Sequence, residues 1–201
     1  MERFDHVLQF KITLKGIRPP IWRRIQVPCT YTFWDLHVAI QDAMGWLDYH
    51  LHLFLIQNPT DRRRAEIGIP TDDLLLDETP PLAGWEVPIA SYFTLTNRRA
   101  IYEYDFGDDW QHAVVLESIT PRDASAEYPV CLAGRRAGPP EDCGGVWGYE
   151  RFLEIIRDPT HEEHEHLMAW SGGAFDPEGF DREAVCFNDP QARWQLAFLE
   201  D

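Results

Sequence analysis

The 201-residue sequence contains no apolar run near the roughly 20 residues that span a bilayer, and its opening MERFDHVLQF lacks the basic and apolar regions of a secretory leader. Cytoplasmic residence without membrane association is therefore expected. The four cysteines, Cys29, Cys131, Cys143 and Cys186, form no C-x-x-C pair, so they read as packed thiols of a reducing compartment and not as a disulfide framework. The sequence also lacks G-x-G-x-x-G after a strand, G-x-x-x-x-G-K-[ST] and G-x-S-x-G. Those absences remove support for dinucleotide binding, P-loop NTP hydrolysis and the common serine-hydrolase elbow. The HEEHEH run at 161–166 fits neither H-E-x-x-H nor H-x-x-E-H and reads as an exposed helix face.

Positive charge is scarce as well, and unevenly so. Residues 1–100 hold 11 Lys/Arg against 12 Asp/Glu, while residues 101–201 hold 7 against 22, so the formal charge of −16 belongs to the second half. Such a surface repels phosphate backbones, which makes direct non-specific nucleic-acid binding an unfavoured function. With 44% hydrophobic and 26% charged residues, the composition is that of a globular chain able to bury one sizeable core.

Period-two alternation of Leu8, Phe10, Ile12 and Leu14 with polar neighbours predicts a first, half-buried strand, and Ile21 to Val27 a second, with one mixed face that suits an edge or a site. A helical stripe of Phe33, Leu36, Ile40, Ala43 and Met44 follows, capped by Thr32 and stopped by Gly45. Trp46 to Ile56 reads as a third strand. Asn58 to Trp85 reads as a long excursion with one short element at the apolar run Leu74 to Leu76. Ala100–Phe106 and Trp110–Ile119, joined by Gly107, Asp108 and Asp109, predict a hairpin. Tyr128 to Gly145 reads as a loop; helices are expected over Tyr149–Ile156, over Glu162–Trp170 and after an Asp189 cap with Pro190 in first position. No repeat divides the chain. Strands, a hairpin and then helices, without alternating crossovers, predict an α+β fold: a single compact domain over residues 1–201, with a largely antiparallel sheet and helices packed against it.

Chemistry-bearing residues gather at three places. YEYDFGDDWQH, residues 102–112, brings Asp105, Asp108 and His112 to one hairpin tip, a set that suits a divalent ion or an acid/base pair. AGPPEDCGG, residues 137–145, adds Glu141 and Asp142 on a stiff, glycine-bearing loop, where the acids could instead cap the helix that follows. PPIWRRI and YHLHLF add Arg23 and Arg24 on opposite faces of one strand, and His50 and His52 on a shared face of another. Trp22, Trp46 and Trp110 are the aromatic candidates for a recognition surface, with core packing as their alternative role.

Taken in order, PPIWRRI, LHVAIQDAMGW with HLHLF, YEYDFGDDWQH, and PPEDCGGVWGY with FDPEGFD resemble the plasmid pRiA4b ORF-3-like family over nearly the whole chain. The resemblance implies a compact α+β domain of unestablished biochemical role, some of whose relatives bear names that tie them to resolvases or to passenger genes of mobile elements. The family often has a cysteine directly before PPED, where this chain has Gly138, which argues against a zinc site on Cys131 and Cys143. Serines are few and the C-terminal half is strongly acidic, so serine-recombinase chemistry is not expected.

Two functions follow as expectations. The first is a ligand- or protein-binding module whose acidic and aromatic pocket is formed by Trp22, Arg23, His52, Asp105, Asp108, Trp110, Glu141 and Asp142. Its partner is a protein or a small molecule of unassigned identity. The second is a metal-assisted hydrolase with Asp105, Asp108 and His112 as ligands, Glu141 or Asp142 completing the shell and Arg23 holding an anionic substrate. No cofactor is fixed by the sequence; a divalent metal ion is the one candidate.

Overall fold

The computed structural model describes residues 4–70 and 80–199. The alternating segments become the middle of one eight-stranded sheet: β1 (His6–Leu14), β2 (Trp22–Pro28), β3 (His52–Gln57), β4 (Arg64–Gly68), β5 (Leu82–Ala83), β6 (Arg99–Tyr104), β7 (Trp110–Pro121) and β8 (Val130–Arg135). Their order is β5-β4-β3-β6-β7-β1-β2-β8, antiparallel at every junction except β4 with β5. The α+β expectation holds, with helices α1 (Phe33–Met44), α2 (Gly145–Arg157), α3 (His164–Trp170) and α4 (Pro190–Phe198) completing one fold. Among the described residues no helix is long and apolar enough to cross a membrane.

Period two puts Phe10, Ile12, Ile25, Phe54, Tyr102 and Val114 on the buried side of the sheet, where α1 covers them. α1 forms where its stripe and caps agree. Thr32 and Asp35 make a reciprocal capping box, and Gly45 takes the left-handed conformation, φ 84°, that a side-chain-bearing residue adopts only at a cost.

Three segments differ from the sequence reading. The third strand begins at His52 and not at Trp46, because Asp48 turns the chain with a positive φ of 62° and residues 46–51 form a loop. The excursion after Asn58 yields two short strands, β4 and β5; the run Leu74–Leu76 lies outside the described residues. The loop expected over 128–145 contains β8, whose pairing with Trp22–Gln26 is decided by its neighbour and not by any alternation of its own.

Candidate functional site

The loop over residues 46–51 is clamped between the β6–β7 hairpin and the 139–142 segment. Trp46, buried and stacked 5.0 Å from the Tyr104 ring, donates its indole N–H to Pro139 O at 2.8 Å. Leu47 N–H donates to Glu141 Oε1 at 2.8 Å, Tyr49 N–H to the Tyr104 hydroxyl at 3.1 Å, and Asp105 N–H to Leu51 O at 3.0 Å. Glycine permits the close approach: a side-chain carbon at Gly138 would collide with Met44 O, and one at Gly145 with Asp108 O.

This clamp gathers acids around a histidine. Alternation would put Asp105 with Glu103, but Asp105 leaves the strand at φ 55° and curls over the turn, its Oδ1 accepting from Gly107 and Asp108 N–H at 2.9 and 3.2 Å. Its Oδ2 then lies 3.5 Å from His50 Nε2, which is 2.9 Å from Asp142 Oδ1. His50 Nε2 is buried and makes no well-aligned hydrogen bond. One ligand atom from each of His50, Asp105 and Asp142 falls within 4.8 Å of the others. Glu141 stands alongside, accepting from the Tyr104 hydroxyl at 3.1 and 3.3 Å, and burial raises its carboxyl above the usual range. The same burial, with Glu141 beside it, raises the Tyr104 phenol.

The cluster opens on two surfaces. The loops that carry it also present exposed Leu47, Tyr49, Leu51 and Phe106 to solvent. Asp142 also lines a cavity of about 270 Å³ between α2 and α3, walled by Cys143, Arg151, Phe152, His166 and Trp170. Three adjacent carboxylates and one imidazole suit a cation, whether a metal ion or an organic ammonium or guanidinium group.

The sequence-predicted residues are only partly brought together. Asp105, Glu141 and Asp142 meet; Asp108 and His112 do not join them. Asp108 Oδ2 accepts the Gly144 N–H at 3.0 Å and so caps α2, the role the sequence offered to Glu141 and Asp142. His112 points into the core between Trp46 and Tyr102, fully buried, with its pKa lowered to about 3 by desolvation. The metal set Asp105, Asp108 and His112 is therefore split by the pleat: His112 lies two residues inside the strand end, on its core-facing side.

Arg23 is buried as well, and is spent on backbone. It donates to Ala43 O at 2.6 Å, Trp22 O at 2.9 Å and Arg135 O at 3.1 Å, with its guanidinium 4.0 Å above the Phe180 ring. That bonding leaves it no role in holding an anionic substrate. Trp22 occupies the opposite face of β2, between Lys11 and Arg24, while Trp110 is buried 6.1 Å from Trp46. His52 is buried in a neighbouring cluster. Its ring stacks on His37 with centroids 3.5 Å apart and planes within 9°.

Sequence reasoning missed His37, Gln41 and Asp48. His37 bridges the Tyr102 hydroxyl (2.7 Å) and Asp48 Oδ1 (2.8 Å), and Gln41 Nε2 donates to the same hydroxyl at 2.8 Å. The signal was present: two polar residues four apart, on the same side of the helix as the apolar Phe33, Ile40 and Met44.

Comparison with known proteins agrees with this description. The sequence profile of the plasmid pRiA4b ORF-3-like protein family matches residues 6–184. The uncharacterized protein y4hQ of Sinorhizobium fredii is 33% identical over 192 residues, covering 94% of each chain. The crystal structure of a protein of unknown function from Methanosarcina mazei Go1 superposes with a TM-score of 0.85 at 50% identity, over 92% of this chain and 100% of its own.

Proposed function

The chain belongs to the plasmid pRiA4b ORF-3-like family, and within that fold we propose that it is a cytoplasmic binding module whose hairpin-tip site receives a lysine or arginine side chain of a partner protein. The observation that carries this reading is the convergence of Asp105, Glu141 and Asp142 on loops that expose Tyr49 and Phe106. Carboxylates supply the counter-charge and aromatic faces the cation–π surface, a pairing suited to a guanidinium or ammonium head on an apolar stem. The excess of 22 acidic over 7 basic residues in the second half adds long-range attraction for a basic partner.

The test is titration with oligo-arginine and oligo-lysine peptides at physiological salt. The double variant Asp105→Asn/Asp142→Asn is expected to bind at least roughly tenfold more weakly, the equivalent of about 1.4 kcal/mol. A charge-matched control, Glu162→Gln/Glu165→Gln, should bind like wild type. Equal weakening by both pairs would reduce the attraction to bulk charge and overturn the reading.

A second reading, a metal-assisted hydrolase, is favoured by the His50–Asp105–Asp142 convergence. There the acids would hold a divalent ion, and Glu141 with its raised pKa would exchange protons with water. It requires that Mg²⁺, Mn²⁺ or Zn²⁺ raise the melting temperature and that His50→Ala or Asp142→Asn remove the gain.

A further inference from the structure

A second group of ligand-bearing side chains, one from α1, one from the 46–51 loop and one from β3, lies behind the same loop, and it is buried. His37 and His52 are 0% and 2% exposed, and the Asp48 carboxylate is almost as enclosed. One ligand atom from each of these three residues lies within 4.8 Å of the others. Both ring nitrogens of His52 and Oε1 of Gln41 are buried without a hydrogen-bond partner. Leaving a buried polar atom unpaired is costly, and buried polar groups are almost always satisfied. The two unsatisfied nitrogens of His52, beside His37 and the Asp48 carboxylate, point to a missing partner at that ring.

We propose that His37, Asp48 and His52 form a binding site for one zinc-class divalent cation, held by two imidazole nitrogens and one carboxylate oxygen. The donor set decides the class: imidazole with carboxylate suits Zn²⁺ or Co²⁺, whereas Mg²⁺ and Ca²⁺ prefer all-oxygen shells.

The stacked rings set what binding requires. An ion must lie in the plane of each ligating imidazole, and planes 9° from parallel at 3.5 Å do not share a point near both rings. His52 therefore turns about its ring bond, and it has no hydrogen bond to lose in doing so. The 2.8 Å contact between His37 Nε2 and Asp48 Oδ1 gives way to two bonds to the ion. His37 Nδ1 then carries the proton and donates to the Tyr102 hydroxyl, reversing the present sense of that 2.7 Å contact. The hydroxyl is left to donate to Gln41 Oε1 once that amide turns over, an exchange that moves the unpaired atom of Gln41 from Oε1 to Nε2. Arg193 opposes the ion, with its Nη1 3.7 Å from Asp48 Oδ2, but its closer contact is Asp42 at 3.0 Å.

The site shares no ligand with the hairpin-tip cluster, so one experiment separates the two. Full-length protein purified without a histidine tag and stripped by chelation is titrated with Zn²⁺ by calorimetry, and with Co²⁺ by visible absorbance. Wild type is expected to take up one ion and to show a nitrogen-ligated Co²⁺ spectrum. His52→Phe, which keeps an aromatic ring on His37, and Asp48→Asn should each weaken uptake by more than roughly tenfold, while circular dichroism shows both folded. His50→Ala/Asp142→Asn should leave uptake unchanged. Failure of wild type to bind either ion overturns the proposal. So does uptake that survives His52→Phe, or that is lost only with His50→Ala/Asp142→Asn; the last result would place the metal at the hairpin tip.

Discussion

His112 and Arg23 show what burial does to residues that sequence patterns recommend as ligands. Each sits in a motif with the right chemistry, and each points to the core-facing side of the sheet. For His112 the consequence is a pH dependence. Its folded-state pKa of about 3 lies below its ordinary 6.5, so across that interval the unfolded chain binds the extra proton. The stability it contributes is complete above pH 6.5 and is lost as pH falls toward 3, by up to about 1.4 kcal/mol per pH unit. His52, lowered in the same direction by burial and by His37, adds to the same loss. Urea unfolding of wild type and His112→Gln from pH 7.5 to 4 should give curves that converge as the pH falls. Parallel curves would show that His112 is not a buried neutral base. Period two told which face each residue occupies, but not which face is covered. That depends on where α1 lands, and α1 meets β2, β3 and β6 only in three dimensions.

At the scale of elements, those with a local signal were legible: α1 from its stripe and caps, the hairpin from its turn residues, and α4 from Asp189 and Pro190. β8 was not legible, because an edge strand paired on one side draws its conformation from β2. The start of α2, at Gly145, carries no local signal either. Its cap, Gly144, has no side chain of its own, and the acceptor that serves it comes from the hairpin 36 residues away. Asp108→Ala should therefore cost about 1 kcal/mol and speed amide exchange in the first turn of α2, while Asp108→Asn keeps most of the protection. A loss of metal or peptide binding with no change in that turn would return Asp108 to the binding site. The 46–51 loop was read as strand because Leu51, Leu53 and Leu55 alternate. Asp48, with positive φ, turns the chain before that alternation begins, as Asp105 does at the end of β6, and each aims its carboxylate at a neighbouring histidine.

For the molecule as a whole, the fold class was legible and the position of the site was not. An antiparallel α+β arrangement follows from the order of periodic segments, whereas the His50–Asp105–Asp142 cluster needs three loops from distant parts of the chain. The sheet and α1 supply the rigid frame, and the 46–51, 105–109 and 139–145 loops carry the charge to one end of it. A module that receives a cationic side chain there makes a spatial prediction across the whole surface. The most direct measurement is amide chemical-shift mapping of the labelled protein during titration with an oligo-arginine peptide at physiological salt. Shifts confined to residues 47–51, 104–109 and 141–147, and abolished by Asp105→Asn/Asp142→Asn, are the expected result. Shifts spread over the acidic surface of the second half, or centred on the α3 face around 161–166, would contradict it.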